Sequence, residues 1–320
     1  MREFSWAQIG AARTTIAPFV HRTPVFTCST LDERCCGHVF LKCENLQRTG
    51  SFKFRGAVNA VASLTPDQRK RGVYAHSSGN HAQALALAAR LHRIPAYVVM
   101  PEDSNKAKID ATRSYGAAVT FCRPTDDDRR ATAARVGAET GAVFVHPHDD
   151  LRVIAGQGTA VCELIDEVAD LDLILAPVGG GGLLAGTVVA AKHLVPAARV
   201  IGCEPSGADD AFRSIQRGER ITDFTPNTIA DGLRTSLGEK TFSIIRESVD
   251  EVVVVAEEEI LPAMRFVWER TKLVIEPSSA VAVAPLLTRQ IDVTDLRVGV
   301  ILTGGNTDLS RLAPMQGPLP

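Results

Sequence analysis

Lys53 stands in the run Gly50-Ser51-Phe52-Lys53-Phe54-Arg55-Gly56, a cation between two aromatic residues just beyond the apolar stretch Val39 to Cys43. Partial desolvation of such a lysine disfavours the ammonium, lowers its pKa and frees the amine to form a Schiff base with an aldehyde. A lone lysine more often keeps its stem on the surface and its head in water, so the weight falls on two further segments. His76-Ser77-Ser78-Gly79-Asn80-His81 lies where the strand-like run Val73 to His76 stops and the alanine-rich stretch Ala82 to Ala88 begins. Free backbone N–H groups at a helix start suit a carboxylate, and Ser and Asn add donors; a plain N-cap turn has the same composition. Gly179-Gly180-Gly181-Gly182 follows the apolar run Leu171 to Val178 and precedes a helical pattern from Leu183. Four residues without Cβ let the backbone close around a phosphate.

A rival chemistry uses the same glycines. Gly180, Gly182 and Ala185 satisfy G-x-G-x-x-A, and Glu204 ends the next strand where a ribose-binding acid belongs, so a nicotinamide-dependent oxidoreductase is a second reading. It leaves Lys53 and the Ser-Ser-Gly-Asn turn without a role. A binding or scaffold protein is a third, and needs no activated lysine. Cys35, Cys36, His38 and Cys43 form a thiol and imidazole cluster without the CxxC spacing of a zinc knuckle. His146 and His148, beside Asp149 and Asp150, read as a solvated loop before a helix. No phosphate-binding G-x-x-x-x-G-K-[ST] and no G-x-S-x-G elbow is present.

The elements that must position these residues alternate. Strand-like runs at Val73 to His76, Ala96 to Met100, Ala118 to Cys122, Ala142 to His146, Arg199 to Glu204, Glu251 to Val255 and Arg297 to Thr303 join those already named. Between them lie helical patterns at Asn80 to His92, Asn105 to Tyr115, Asp126 to Thr140, Leu151 to Val168, Leu183 to Val195, Glu257 to Lys272 and Ser278 to Arg289. Such alternation predicts an α/β protein with mostly parallel sheets covered by helices on both faces. The strands between Gly72 and Pro147 form a unit of their own, so a small lobe (72–148) is expected inside a large one (1–71 and 149–320). Asp223 to Leu237 has no period and reads as a long, functional loop.

With 320 residues, 45% of them hydrophobic, and a formal charge of −2 from interspersed charges, the chain has no polybasic stripe for nucleic acid. It has no apolar run long enough for a bilayer and no signal-type start, and its seven cysteines show no framework spacing. A cytoplasmic location is expected.

The runs SFKFRG, HSSGNHAQAL, VIAGQG, PVGGGGLLAG, ADGLRTSLG, VWERTKLVIEPS and TGGN together resemble the fold-type II pyridoxal phosphate enzymes, a tryptophan synthase β-like fold, and within them the serine racemase, serine/threonine dehydratase and threo-3-hydroxyaspartate dehydratase group. The resemblance covers nearly the whole chain. It implies that Lys53 carries the cofactor, Asn80 contacts its ring hydroxyl, Phe52 lies beside the ring, Gly179, Gly180, Gly181 and Gly182 wrap the phosphate, and Thr303 faces the ring nitrogen. Ser77, Ser78, Asn80 and His81 would meet the substrate, Ser78 also as a second base, with Arg129 (or Arg130, which the register equally favours) and Thr235 as further substrate contacts. Glu204, Ala208 (through its carbonyl) and Asp210 match a divalent-cation site for Mg²⁺ or Ca²⁺. The implied reaction is β-elimination from L-serine, L-threo-3-hydroxyaspartate or L-threonine to a 2-oxo acid and ammonia, with racemisation as the alternative, in a homodimer whose small lobe closes over the substrate.

Overall fold

The computed structural model describes residues 4–77, 79–104 and 106–307. Its strands are β1 (Val25–Phe26), β2 (His38–Cys43), β3 (Val73–His76), β4 (Ala96–Pro101), β5 (Ala118–Cys122), β6 (Val143–Phe144), β7 (Leu173–Pro177), β8 (Arg199–Pro205), β9 (Glu251–Val255) and β10 (Arg297–Leu302). They form two sheets, one in the order β1-β2-β10-β7-β8-β9 and one in the order β5-β4-β3-β6. All pairings are parallel except that of β1 with β2. The second sheet draws its strands only from residues 73–144.

Side chains alternate between the faces of a strand, and both faces of the larger sheet are covered. Leu173 and Leu175 of β7, with Val298, Val300 and Leu302 of β10, enter one core; Ile174, Ala176 and Ile301 enter the other. The helix Leu151–Glu167 packs on helices Gly182–Leu194 and Lys53–Ala62, and Lys53–Ala62 packs in turn on Asn80–His92 over the smaller sheet. Lys53 therefore opens a helix that touches the coverings of both sheets.

Where the chain departs from its sequence pattern, local chemistry accounts for it. The helix expected over Ser278 to Arg289 is two short ones, Pro277–Ala280 and Ala284–Leu287. Pro285 lacks the N–H that would bond back to Val281, so one helix cannot run through. The helix Lys53–Ala62 was not anticipated, although its buried Phe54, Ala57, Val58 and Val61 have helical spacing. The loop from Asp223 to Leu237 is irregular apart from one 3₁₀ turn, Asp231–Leu233.

Candidate active site

Lys53 is aimed by what holds the chain on either side of it. Ser51 makes an isolated bridge to Gly304, and the Phe52 N–H donates to the Thr303 carbonyl at 3.0 Å, tying the run to the end of β10. Two residues on, the wholly buried Arg55 forks onto Glu44 (Nε–Oε2 2.7 Å, Nη2–Oε1 2.8 Å) and Glu163 (Nη1–Oε1 2.7 Å, Nη2–Oε2 2.8 Å). Lys42 Nζ, also buried, lies 2.8 Å from Glu163 Oε2. Charges buried this deeply persist only when paired and hydrogen-bonded, and bidentate geometry fixes the first turn of the helix. The Lys53 ammonium donates to the Pro147 carbonyl at 3.0 Å and lies 5.1 Å from the Phe52 ring centroid. Burial pushes its pKa down to about 8, against the opposing pull of the Glu276 carboxylate.

The serine-glycine-asparagine turn follows β3. Ser77 N–H donates to Val99 O at 3.0 Å, and Gly79 N–H donates to Ser77 Oγ at 3.3 Å; Ser78 lies outside the described residues. Asn80, first in helix Asn80–His92, donates Nδ2–H to Glu276 Oε1 (2.8 Å) and accepts at Oδ1 from Asn306 Nδ2 (2.9 Å). Glu276 is 2% exposed and its Oε2 is buried without a hydrogen-bond partner. Burial, helped by the charge of Asp231, pushes its carboxyl up to about 8. The buried His81 ring lies 3.1 Å from the Val145 carbonyl through Nε2, and burial, then the charge of Lys53, pushes its pKa down to about 3, so it is neutral.

The glycine loop lies between β7 and helix Gly182–Leu194, whose N-terminus has no side-chain cap. A Cβ at Gly180 would stand 2.3 Å from the ring of His148, and Gly181 has φ +84°. Only glycine meets both demands. His148 is therefore not in the solvated loop its sequence implied: it is 7% exposed, its ring 4.4 Å from that of His146. Asp149 accepts from the N–H groups of Glu239, Lys240 and Thr241, and Thr241 Oγ1 donates to Gly180 O at 2.9 Å. These bonds lock the loop's position.

Thr303, 3% exposed, has its hydroxyl 2.9 Å from Ser279 Oγ, which accepts from Gly304 N–H and donates to Gly304 O, each at 2.8 Å. Arg129 lies in the first turn of helix Asp126–Thr140, at the C-terminal end of β5 and two strands from β3. Thr235 is exposed beyond the 3₁₀ turn. Sequence reasoning overlooked Glu276, Ser279 and Arg55. Glu276 and Ser279 lie in an unremarkable Glu-Pro-Ser-Ser run, and only its closeness to Lys53 could have pointed to Arg55.

Glu204 is wholly buried and accepts from Ala211 N–H (Oε1, 3.0 Å) and Phe212 N–H (Oε2, 2.8 Å), so the ribose contact of the oxidoreductase reading is not offered. Asp210 accepts from Leu237 N–H at 3.0 Å through Oδ2, while its buried Oδ1 lacks a hydrogen-bond partner. Burial and the charge of Asp210 raise Glu204, and burial lifts Asp210 to about 7. Ala208 is 1% exposed in the 3₁₀ turn Ser206–Ala208. No group of three or more His, Cys, Asp or Glu side chains able to hold a metal occurs among the described residues, the thiol cluster near Cys35 included.

The residues fit a phosphorylated aldehyde. A lysine with a depressed pKa supplies the amine, an uncapped helix start with a glycine cradle supplies N–H donors for the phosphate, and the orphaned Glu276 oxygen beside Asn80 marks an unfilled polar contact.

Comparison with known proteins agrees. Residues 16–304 match the family described as pyridoxal-phosphate dependent enzyme. A serine racemase of Dictyostelium discoideum is 48% identical over 309 residues, 95% of each chain. A beta-hydroxyaspartate dehydratase of Paracoccus denitrificans is 47% identical over 302 residues, covering 94% of this chain and 96% of that one. The structure of maize serine racemase superposes with a TM-score of 0.94 at 40% identity, over 98% of this chain and 96% of that one. The family match spans most of the chain and the relatives cover nearly all of it, and the chain belongs to the pyridoxal-phosphate dependent enzyme family.

Proposed function

We propose that the chain eliminates water from a β-hydroxy amino acid, L-serine or L-threo-3-hydroxyaspartate first and L-threonine next, and that the released enamine, once tautomerised to the imine, takes up water to give a 2-oxo acid and ammonia. The observation that carries this reading is the convergence of Lys53, the Asn80–Glu276 pair and the glycine loop, drawn from distant parts of the chain. When bound, pyridoxal phosphate supplies the electron sink for the charge left at the substrate Cα.

Each residue then has a task. Lys53 anchors the cofactor and, as a free amine with its pKa near 8, takes the Cα proton. Gly179 to Gly182 and the uncapped start of helix Gly182–Leu194 would hold the phosphate, and Phe52, Asn80 and Thr303 would hold the ring, Thr303 with a neutral hydroxyl. Ser77, Asn80 and His81 seat the substrate carboxylate at the start of helix Asn80–His92, and Arg129 and Thr235 add contacts as residues 72–148 close and shed water. Glu204, Asp210 and the Ala208 carbonyl would hold Mg²⁺ or Ca²⁺, an assignment supported by the buried Asp210 oxygen without a hydrogen-bond partner and by two buried neighbouring carboxyls whose ionisation a cation would favour. The chain acts as a homodimer in the cytoplasm. All seven cysteines are free, and no helix among the described residues is long and apolar enough to cross a membrane.

Racemisation is the second reading, supported by relatives described as serine racemases at 44–48% identity. It needs a proton donor on the opposite face, the part of Ser78. Borohydride reduction of protein incubated with pyridoxal phosphate, followed by peptide mapping, should find the adduct on Lys53. Turnover assays of the three amino acids should release ammonia. An unmodified Lys53 peptide, or exchange of the Cα proton without ammonia, would overturn the elimination reading.

A further inference from the structure

Lys108 belongs to helix Lys106–Ser114 beside the smaller sheet, yet its ammonium meets an acid of the long loop that belongs to the larger one: Nζ lies 2.8 Å from Asp231 Oδ2. The Lys108 side chain is 16% exposed and that of Asp231 48%, so the pair stands at a rim. A Cβ built on Gly79 would lie 3.7 Å from Lys108 Nζ. The ammonium therefore sits beside the turn that opens helix Asn80–His92, a helix start with no side-chain cap. Glu276 links the rim to the interior. Its carboxyl senses the charges of both Asp231 and Lys108, and its own charge reaches Lys53.

We infer that Lys108 is a specificity-determining residue, the cation that receives the second carboxylate of a dicarboxylic substrate, with Asp231 holding its place until that carboxylate arrives. The inference rests on the amino acid reading above. The Lys108 ammonium stands beside the turn that would take the α-carboxylate, where a second carboxylate on the neighbouring carbon can meet it. An unpaired Asp231 there would repel a carboxylate on Cβ. Paired with Lys108 it does not, and an ammonium with three N–H donors on a flexible stem can keep one on Asp231 and turn another to the ligand. Arg129 lies in the first turn of the helix that follows β5, two strands from β3. Lys108 stands beside the turn.

L-Aspartate and L-alanine test this without turnover, because neither carries a β-hydroxyl to expel. They differ by the second carboxylate. Each is titrated into the holoenzyme, and binding is read from the cofactor's absorption. Lys108→Met keeps the stem and removes the charge. It should raise the Kd for L-aspartate about tenfold or more, the scale of one charge-assisted hydrogen bond, and move that for L-alanine by less than about threefold. Asp231→Asn frees the ammonium and should lower the Kd for L-aspartate. A purely structural bridge between the lobes would make both variants shift L-aspartate in the same direction. That result, or equal weakening of both ligands by Lys108→Met, overturns the inference. If neither amino acid perturbs the wild-type cofactor band, the amino acid reading itself fails.

Discussion

Asn80 and Glu276 are 196 residues apart in the chain, yet the Asn80 amide donates to a carboxyl that is 2% exposed, at 2.8 Å. The bond joins the turn after β3 to the segment that precedes helix Pro277–Ala280, while Asn306 secures the other end of the same amide. Burial raises the Glu276 pKa to about 8, which favours the protonated carboxyl over the carboxylate and makes glutamine a close mimic of that form. Glu276→Gln keeps the acceptor for Asn80 and should leave the affinity of the apoprotein for pyridoxal phosphate within about threefold, whereas Glu276→Ala orphans a donor and should weaken it about tenfold. Fluorescence titration of the apoprotein distinguishes the two. Equal affinities for both variants would mean that the orientation of Asn80 does not matter.

Two left-handed glycines separate strain from packing. Gly218 has φ +71° with open space around it, and Gly181 has φ +84° with Leu237, Ile245 and Thr241 within 2.9 Å of any added Cβ. Alanine at either site costs roughly 1 kcal/mol for the backbone conformation. At Gly181 the crowded carbon adds about 1–3 kcal/mol. Denaturant titrations should rank Gly181→Ala well below Gly218→Ala in stability, and only the former should lose cofactor affinity. Matching losses at the two sites would show that the loop can yield.

The Lys53 pKa carries a consequence for stability. Folding lowers it from 10.5 to about 8, so between those values the unfolded chain binds a proton that the folded apoprotein does not. Stability contributed by this group is lacking below pH 8, rises through the window and is fully restored above about 10.5. Buried thiols such as Cys43, raised to about 12, act in the opposite sense above pH 9. The difference between wild type and Lys53→Met isolates the lysine: the variant's advantage in apoprotein stability should shrink from pH 8 to pH 10. A constant difference across that range would place the amine in water rather than in a desolvated site.

What could be read from the sequence was what is local. Thr125 accepts from Asp128 N–H and Gly141 closes the other end in a left-handed conformation, so helix Asp126–Thr140 is marked at both termini. The glycine loop and the Ser-Ser-Gly-Asn turn were likewise visible because each interrupts a strand with residues that cannot continue it. Glu276 was not visible, because its importance comes from Asn80, which only folding brings near. His148 looked solvated because nothing in His146-Pro147-His148 announces that Gly180 will accept the ring. The role of Arg55 was not visible either, since its two carboxylates lie at positions 44 and 163.

The last expectation concerns the two raised carboxyls. Glu204 and Asp210 are buried as neighbours, each held by backbone N–H groups, and Asp210 keeps one buried oxygen without a hydrogen-bond partner. Without a cation, the pair at neutral pH must either retain a proton or tolerate two like charges in a poorly solvated place. A divalent ion removes that cost, and a ligand bound only by the folded state raises the melting temperature by mass action. Adding millimolar Mg²⁺ or Ca²⁺ to chelator-treated protein should therefore raise Tm by several degrees, since a hundredfold excess over Kd is worth roughly 2.7 kcal/mol and roughly 1 kcal/mol corresponds to about 1.5 °C in a chain of 320 residues. Asp210→Asn should abolish most of that rise while raising the stability of the metal-free protein, because one of the two repelling charges is gone. If the variant responds to the ions as the wild type does, the cation sits elsewhere or nowhere, and these carboxyls are held by protons alone.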